Sequence, residues 1–251
     1  LTPDEDWDAA METNGYQFRL WHEREINGKK FNYVAQFRRA GKWIEMAPVS
    51  LIYENDLGET QLISNPKEVI EPTIDNGNNQ VTWYDLFGEG IDFRYNLNPD
   101  KFFKTVIIND RSVLPEPTIS KEGLKLSVVM TLAWGEDVKP EINFADNVVI
   151  DELANQNSSI TKLDETIKNP DEKAENPEVF SYEDDLLRDI WWMQEPKAWD
   201  SYENSDLGEG AHQITIDQEL IRKDNNVYAL LSVHETTLNN PEIIYPLFID
   251  T

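Results

Sequence analysis

The chain has 251 residues, 48 Asp+Glu against 22 Lys+Arg, and a formal net charge of -26. Such a surface excludes nucleic acid as a direct partner, because duplex binding is driven by Lys and Arg displacing counterions from phosphates. It repels anionic membranes on the same grounds, and no apolar run approaches the ~20 residues that a bilayer-spanning helix needs.

A hydrophobic fraction of 39%, with 8 Trp, 9 Tyr and 10 Phe, predicts a packed core in spite of the charge. The absence of Cys removes disulfides, thiolate zinc sites and cysteine nucleophiles together. A chain that starts at Leu1 rather than Met is expected to be a processed product or a segment.

Short runs of period-two alternation, broken by turn residues, dominate from the N-terminus onward. A short helix is expected at Asp4–Thr13. Tyr16, Phe18 and Leu20 alternate with Gln17, Arg19 and Trp21, and Asn27-Gly28 then supplies a two-residue hairpin turn. Phe31, Tyr33, Ala35 and Phe37 follow on one face, with Asn32, Val34 and Gln36 on the other. Trp43–Met46 leads into Val49, Leu51 and Tyr53, a turn at 55–58, and a return through Thr60, Leu62 and Ser64.

Further strands are predicted at Val81–Leu86, Ile91–Leu97, Thr105–Ile108, Leu124–Leu132, Asn147–Ile150, Ile190–Met193, His212–Ile216, Val227–His234 and Ile243–Phe248. Short helices are expected around Pro99–Phe103 and Tyr182–Asp189. About a dozen short strands without βα alternation predict an all-β fold. The expected form is an elaborated antiparallel β-sandwich with jelly-roll or immunoglobulin-like layers. It is read as one domain over 1–251, with sub-domains at 1–80 and 81–251 as an alternative. Residues 155–178 are polar, charged and interrupted by Asn169-Pro170 and Asn176-Pro177, and are expected to form a surface excursion. The stretch 136–206 holds 20 acidic and 6 basic residues, so it carries -14 of the net charge.

Three segments of the second half resemble a known family. Tyr95-Asn96-Leu97-Asn98-Pro99-Asp100-Lys101-Phe102-Phe103-Lys104-Thr105-Val106-Ile107-Ile108 is similar to a segment of bacterial wall-associated and Rhs-like surface proteins. So is Trp192-Met193-Gln194-Glu195-Pro196-Lys197-Ala198-Trp199-Asp200-Ser201. Val227–Val233 followed by Tyr245-Pro246-Leu247-Phe248-Ile249-Asp250-Thr251 resembles that family's closing YPVTIDPT signature. The likeness covers residues 80–251. It departs at Lys101, where the family favours Gly, and at Thr251, where it favours Pro. Related domains of tailed-phage virions look similar. The resemblance implies an extracellular, cell-surface or virion β-sandwich with a structural role, and it carries over no catalytic residue.

Several constellations carry chemistry. His22, His212 and His234 show no metal-ligand spacing and read as surface or strand-edge histidines. Glu45, Glu89, Asp92 and Glu136 flank aromatics and are candidates for the paired carboxylates of a glycoside hydrolase. Asp75, Asn76 and Asn78 surround Gly77 like the start of a calcium loop, although Leu86 stands where an EF-hand needs Glu. A weaker loop runs from Asp200 to Asp206 with Glu203. Calcium is therefore the only cofactor for which the sequence offers candidate ligands. Trp191, Trp192 and Trp199 are candidates for a protein interface or a glycan platform.

The expected function is a non-catalytic structural or adhesive component of an extracellular surface or virion. Its partners would be other protein subunits in a homo-oligomeric assembly, with no membrane insertion. The alternatives are a carbohydrate-binding module and, third, an extracellular glycoside hydrolase.

Overall fold

A computed structural model describes residues 9–13, 16–39, 42–98, 101–135, 196–203, 210–223 and 226–250. Its elements begin with β1 (Ala9–Thr13), β2 (Tyr16–Ile26), β3 (Lys29–Arg39), β4 (Lys42–Glu54) and β5 (Thr60–Ser64). They continue with β6 (Thr73–Asp75), β7 (Gln80–Trp83), β8 (Ile91–Asn98), β9 (Lys101–Ile108) and β10 (Lys125–Trp134). After them come β11 (Lys197–Trp199), β12 (Gln213–Thr215), β13 (Asp217–Lys223), β14 (Asn226–His234), α1 (Glu235–Leu238) and β15 (Leu247–Asp250).

Every strand pairing is antiparallel. The larger sheet runs β1-β2-β3-β4-β10-β14-β13, with β5 on β4. The smaller runs β12-β11-β15-β9-β8-β7-β6. The two sheets pack face to face as an all-β sandwich. No helix among the described residues is long and apolar enough to cross a membrane.

The predicted hairpin forms because Asn27 (φ 49°) and Gly28 (φ 80°) adopt the left-handed angles that a tight two-residue turn demands. Phe18 and Leu20 then face the interior. The alternation of β3 departs from the expected one at a single residue. Tyr33 takes a left-handed backbone (φ 58°), and the ladder skips from Trp21↔Val34 to Glu23↔Asn32. Tyr33, Ala35 and Phe37 therefore point inward, whereas Phe31 joins Val34 on the opposite face.

Aromatic rings fill the interior. Trp83 lies against Tyr33, Tyr95 and Phe93 at centroid separations of 5.2, 5.7 and 6.1 Å. Buried tyrosine hydroxyls reach backbone carbonyls: Tyr33 donates to Lys67 O (2.7 Å) and Tyr53 to Pro115 O (3.0 Å). A buried phenol needs an acceptor, so each of these rings pins one loop to the core.

Three expectations are corrected. Residues 9–13 form strand β1 and no helix, paired Ala9↔Leu20 through Thr13↔Tyr16. The ladder that β2 offers to this segment overrides the helical reading. Residues 101–103 likewise pair with 96–98 and extend β9 backwards, where Phe102 stacks on Tyr95 at 5.1 Å. The final strand starts at Leu247 and not at Ile243. The preceding backbone is bonded to the chain after β11, through Ser201 N–H to Ile244 O (2.8 Å) and Ile244 N–H to Asp200 Oδ2 (3.1 Å). Strands β6, β11 and β13 have no counterpart in the sequence prediction. The predicted strands Asn147–Ile150 and Ile190–Met193, the helix Tyr182–Asp189 and the excursion 155–178 lie outside the described residues.

Candidate functional site

The larger sheet is buried on both faces. Its inner face joins the sandwich core through Leu51, Tyr53, Leu126, Val128 and Leu231. Its outer face carries a second apolar cluster centred on Ile52, Val129, Leu230, Ile221 and Tyr228, each at most 1% exposed. Every described member of this cluster belongs to the sheet itself. Partly exposed Trp21, Trp43, Val49 and Leu62 border it. A bulge opposite Val129/Met130 sets Val49 beside this outer cluster, and so separates it from Leu51 and Tyr53.

Polar groups close the two ends of that face. At one end Glu45, 2% exposed, accepts hydrogen bonds from Gln36 Nε2 (2.6 Å) and an ion pair from Arg24 Nε (2.8 Å). The Arg24 guanidinium lies 4.2 Å from the centroid of the Trp21 ring, which it covers by cation–π contact. Burial pushes the Glu45 carboxyl above its ordinary range, and Arg24 and Gln36 only partly oppose that.

At the other end the hydroxyls of Ser127 and Ser232 both donate to Glu54 Oε1, the second at 2.9 Å. Asp217 takes Lys125 at 2.8 Å and His234 Nε2 at 3.3 Å. Burial raises the Glu219 carboxyl, and the nearby Glu54 charge adds to the effect. For Asp217 burial acts in the same sense, but Lys125 and His234 outweigh it and the carboxyl is held low.

A second constellation ties down the end of the smaller sheet. Asp200, 1% exposed, accepts from the backbone N–H groups of Tyr202 (3.1 Å), His212 (2.7 Å) and Ile244 (3.1 Å). Its Oδ2 also meets His212 Nδ1 at 2.8 Å, and Tyr202 stacks on the imidazole at 4.3 Å. Burial alone would raise this carboxyl; the hydrogen bonds from Ile244, His212 and Tyr202 outweigh it and keep it low. The arrangement is a clasp joining three chain segments. Alternation did not reveal it, because Asp200 and His212 come together only through the β11–β12 pairing. The Asp residue that opens the second calcium candidate is thus spent on protein donors, and Asp206 lies outside the described residues.

The other sequence candidates are dispersed. Trp199 and its cross-strand partner Phe248 stack nearly parallel, 5.5 Å apart at 11°. Their chain neighbours Ala198 and Ile249 belong to the core, so the pair faces away from it. Trp191 and Trp192 lie outside the described residues. Asp75 is engaged by its own loop: Oδ1 accepts from the N–H groups of Gly77 (2.9 Å) and Asn78 (3.2 Å), and Oδ2 from Asn78 Nδ2 (2.7 Å). These bonds, led by the Asn78 side chain, hold its carboxyl low. Asn76 sits in the same four-residue turn. Among the described residues no group of three or more His, Asp or Glu is set to hold a metal.

Of the candidate acids, the three among the described residues are not brought together either. Glu45 is on β4 of the larger sheet, and Glu89 is exposed in the turn before β8. Asp92, on β8, accepts from Asp85 N–H (2.8 Å) and Asn109 Nδ2 (3.0 Å), and Glu136 lies outside the described residues. Of the histidines, His22 packs edge-on against Tyr33 at 5.3 Å, and the other two pair with aspartates.

The chain therefore belongs to the all-β sandwich class, with a larger sheet that is apolar on both faces. A scan against protein-family models and searches of curated proteins and solved structures returned no match.

Proposed function

We propose that this chain is a non-catalytic structural or adhesive module of an extracellular surface or virion assembly, working through contacts with other copies of itself. The observation that carries this reading is the larger sheet: a slab with apolar layers on both sides and two partly exposed tryptophans, Trp21 and Trp43, at the border of the outer one. Partly exposed tryptophans such as Trp21 and Trp43 are the kind of side chain that anchors a protein interface. The carboxylates on that face are tied to Arg24, Gln36, Lys125, His234, Ser127 and Ser232, an arrangement suited to closing a surface. The resemblance of residues 80–251 to wall-associated and phage surface domains supports the same reading.

Sedimentation velocity over a range of protein concentrations tests it. A defined oligomer is expected, weakened by Trp43→Ala. A monodisperse monomer that releases reducing sugar from a polysaccharide would overturn it.

The stacked Trp199–Phe248 pair favours the second reading, a carbohydrate-binding module, since flat aromatic surfaces stack on sugar rings. In that case a glycan array gives specific binding that Trp199→Ala abolishes.

A further inference from the structure

Strand β13 ends the larger sheet, and among the described residues no strand pairs with its far side. It is seven residues long, against five for β1 and three each for β6 and β12 at the other sheet ends. Its ladder to β14 runs from Asp217↔Ser232 to Lys223↔Asn226 without a register shift, and it contains neither Pro nor Gly. It thus lacks the bulges and prolines that commonly blunt an edge, and its outward N–H and C=O groups form a template for another strand. Charges also guard edges, but those of β13 are ordered. Asp217 and Glu219 stand at its start, Arg222 and Lys223 at its end.

That order is self-complementary. An antiparallel pairing of two copies of β13 about Leu220 sets Asp217 opposite the partner's Lys223 and Gln218 opposite the partner's Arg222. Glu219 then meets the partner's Ile221, and no like charges are opposed. Leu220 belongs to the sandwich core and Ile221 to the outer cluster, so even-numbered residues face inward and odd-numbered ones outward. Each opposed pair therefore shares a face. Asp217 holds Lys125 and His234 through Oδ2 (2.8 and 3.3 Å), and its side chain is still 42% exposed. Both amide atoms of Gln218 are buried without a hydrogen-bond partner, a costly state, and a guanidinium opposite would donate to the oxygen. Arg222 and Lys223 keep the interactions they already make, and the pairing needs neither to be free.

We propose that β13 is a self-docking edge, through which two copies of this chain join their larger sheets across a two-fold axis. A two-fold interface uses the same surface on both copies, which a strand with complementary charges about its centre can supply. The contact rests on the reading of the chain as a self-associating module, and names where two copies meet.

The chain contains no cysteine, so single-cysteine variants report the register directly. At concentrations where the wild type self-associates in sedimentation, Leu220→Cys is expected to give a disulfide-linked dimer under mild oxidation. Gln218→Cys alone should not, because its two copies would lie about 13 Å apart, beyond the ~7 Å that a disulfide spans. Mixed with Arg222→Cys it should link. Ile74→Cys, 44% exposed on the edge strand β6, should link at least about tenfold more slowly than Leu220→Cys. Circular dichroism checks each fold, and the Gln218→Cys and Arg222→Cys mixture carries the test if Leu220→Cys unfolds. In the wild type, the amides of 217–221 that do not bond to β14 should exchange at least about tenfold more slowly in concentrated than in dilute protein. Absence of both cross-links in a wild type that self-associates overturns the β13 contact alone. A wild type that stays monomeric at every concentration overturns it together with the reading it rests on. Protection of those amides in the monomer would mean that the rest of this chain covers the edge, and overturns it as well.

Discussion

Lys104 and Asp200 are both charged side chains placed inside the sandwich, and they are accommodated in opposite ways. Asp200 is surrounded by three backbone N–H groups and an imidazole, so its ionised form is favoured. Asp200→Ala should leave those donors unpaired and cost about 2–4 kcal/mol in urea unfolding. Because the folded-state pKa of this acid is depressed, its contribution is present above the ordinary carboxylate range and is lost as pH falls through the folded value. Hydrogen exchange of residues 210–216 should therefore accelerate in acid in the wild type more than in Asp200→Asn.

Lys104 behaves as a depressed base. Its folded value is about 8 against an unfolded 10.5, so stability should rise as pH increases through that window and fall as it is lowered toward 8. Lys104→Met should remove that rise and stabilise the protein at pH 7 by about 1–3 kcal/mol, read as a shift of the denaturation midpoint. Neither role was legible in the sequence, where Lys104 was one residue of a strand motif and Asp200 a loop acid. Their partners are remote in the chain, and local spacing carries no information about them.

Among the elements, hairpins were the most legible. Asn27-Gly28 announced its turn because few other dipeptides tolerate two left-handed residues. Strand β13 was missed because Asp217, Gln218, Glu219, Arg222 and Lys223 dominate its composition. It forms because β14 offers a complete ladder from Asp217↔Ser232 to Lys223↔Asn226. The turn before β10 shows how tightly a connection can be fixed: Gly123 has φ +64°, and a Cβ there would come within 2.0 Å of the Asp56 carboxyl carbon. Gly123→Ala is expected to cost about 2–4 kcal/mol, from backbone strain together with displacement of Asp56. The two faces of β4 offer a sharper comparison. Leu51 faces the sandwich and Ile52 the outer cluster, and both are fully buried. Leu51→Ala and Ile52→Ala should each cost about 2–5 kcal/mol. An Ile52→Ala cost below 1 kcal/mol would mean that the outer face is wet in solution.

For the whole molecule the net charge of -26 matters most. Self-repulsion opposes the compact state and is screened by salt. Raising sodium chloride from low to near-molar concentration should therefore lift the thermal midpoint by about 3–6 °C, with half of the effect below 0.2 M. More than half of that charge lies between 136 and 206, so replacing the acids of that stretch by their amides should weaken the salt dependence.

The sequence by itself determined the all-β class, most strand positions and the tight turn at 27–28, because alternation and turn chemistry act over a few neighbouring residues. It also determined the strongly acidic character of the chain, which needs no fold to be read. Only the tertiary structure decided the strand order, in which β10 lies between β4 and β14. It alone placed the second apolar layer on the outer face of the larger sheet, the Asp200–His212 clasp and the interior position of Lys104. These depend on which distant strands become neighbours. That choice is made by burying both faces of a sheet at once, a condition no local window of sequence contains.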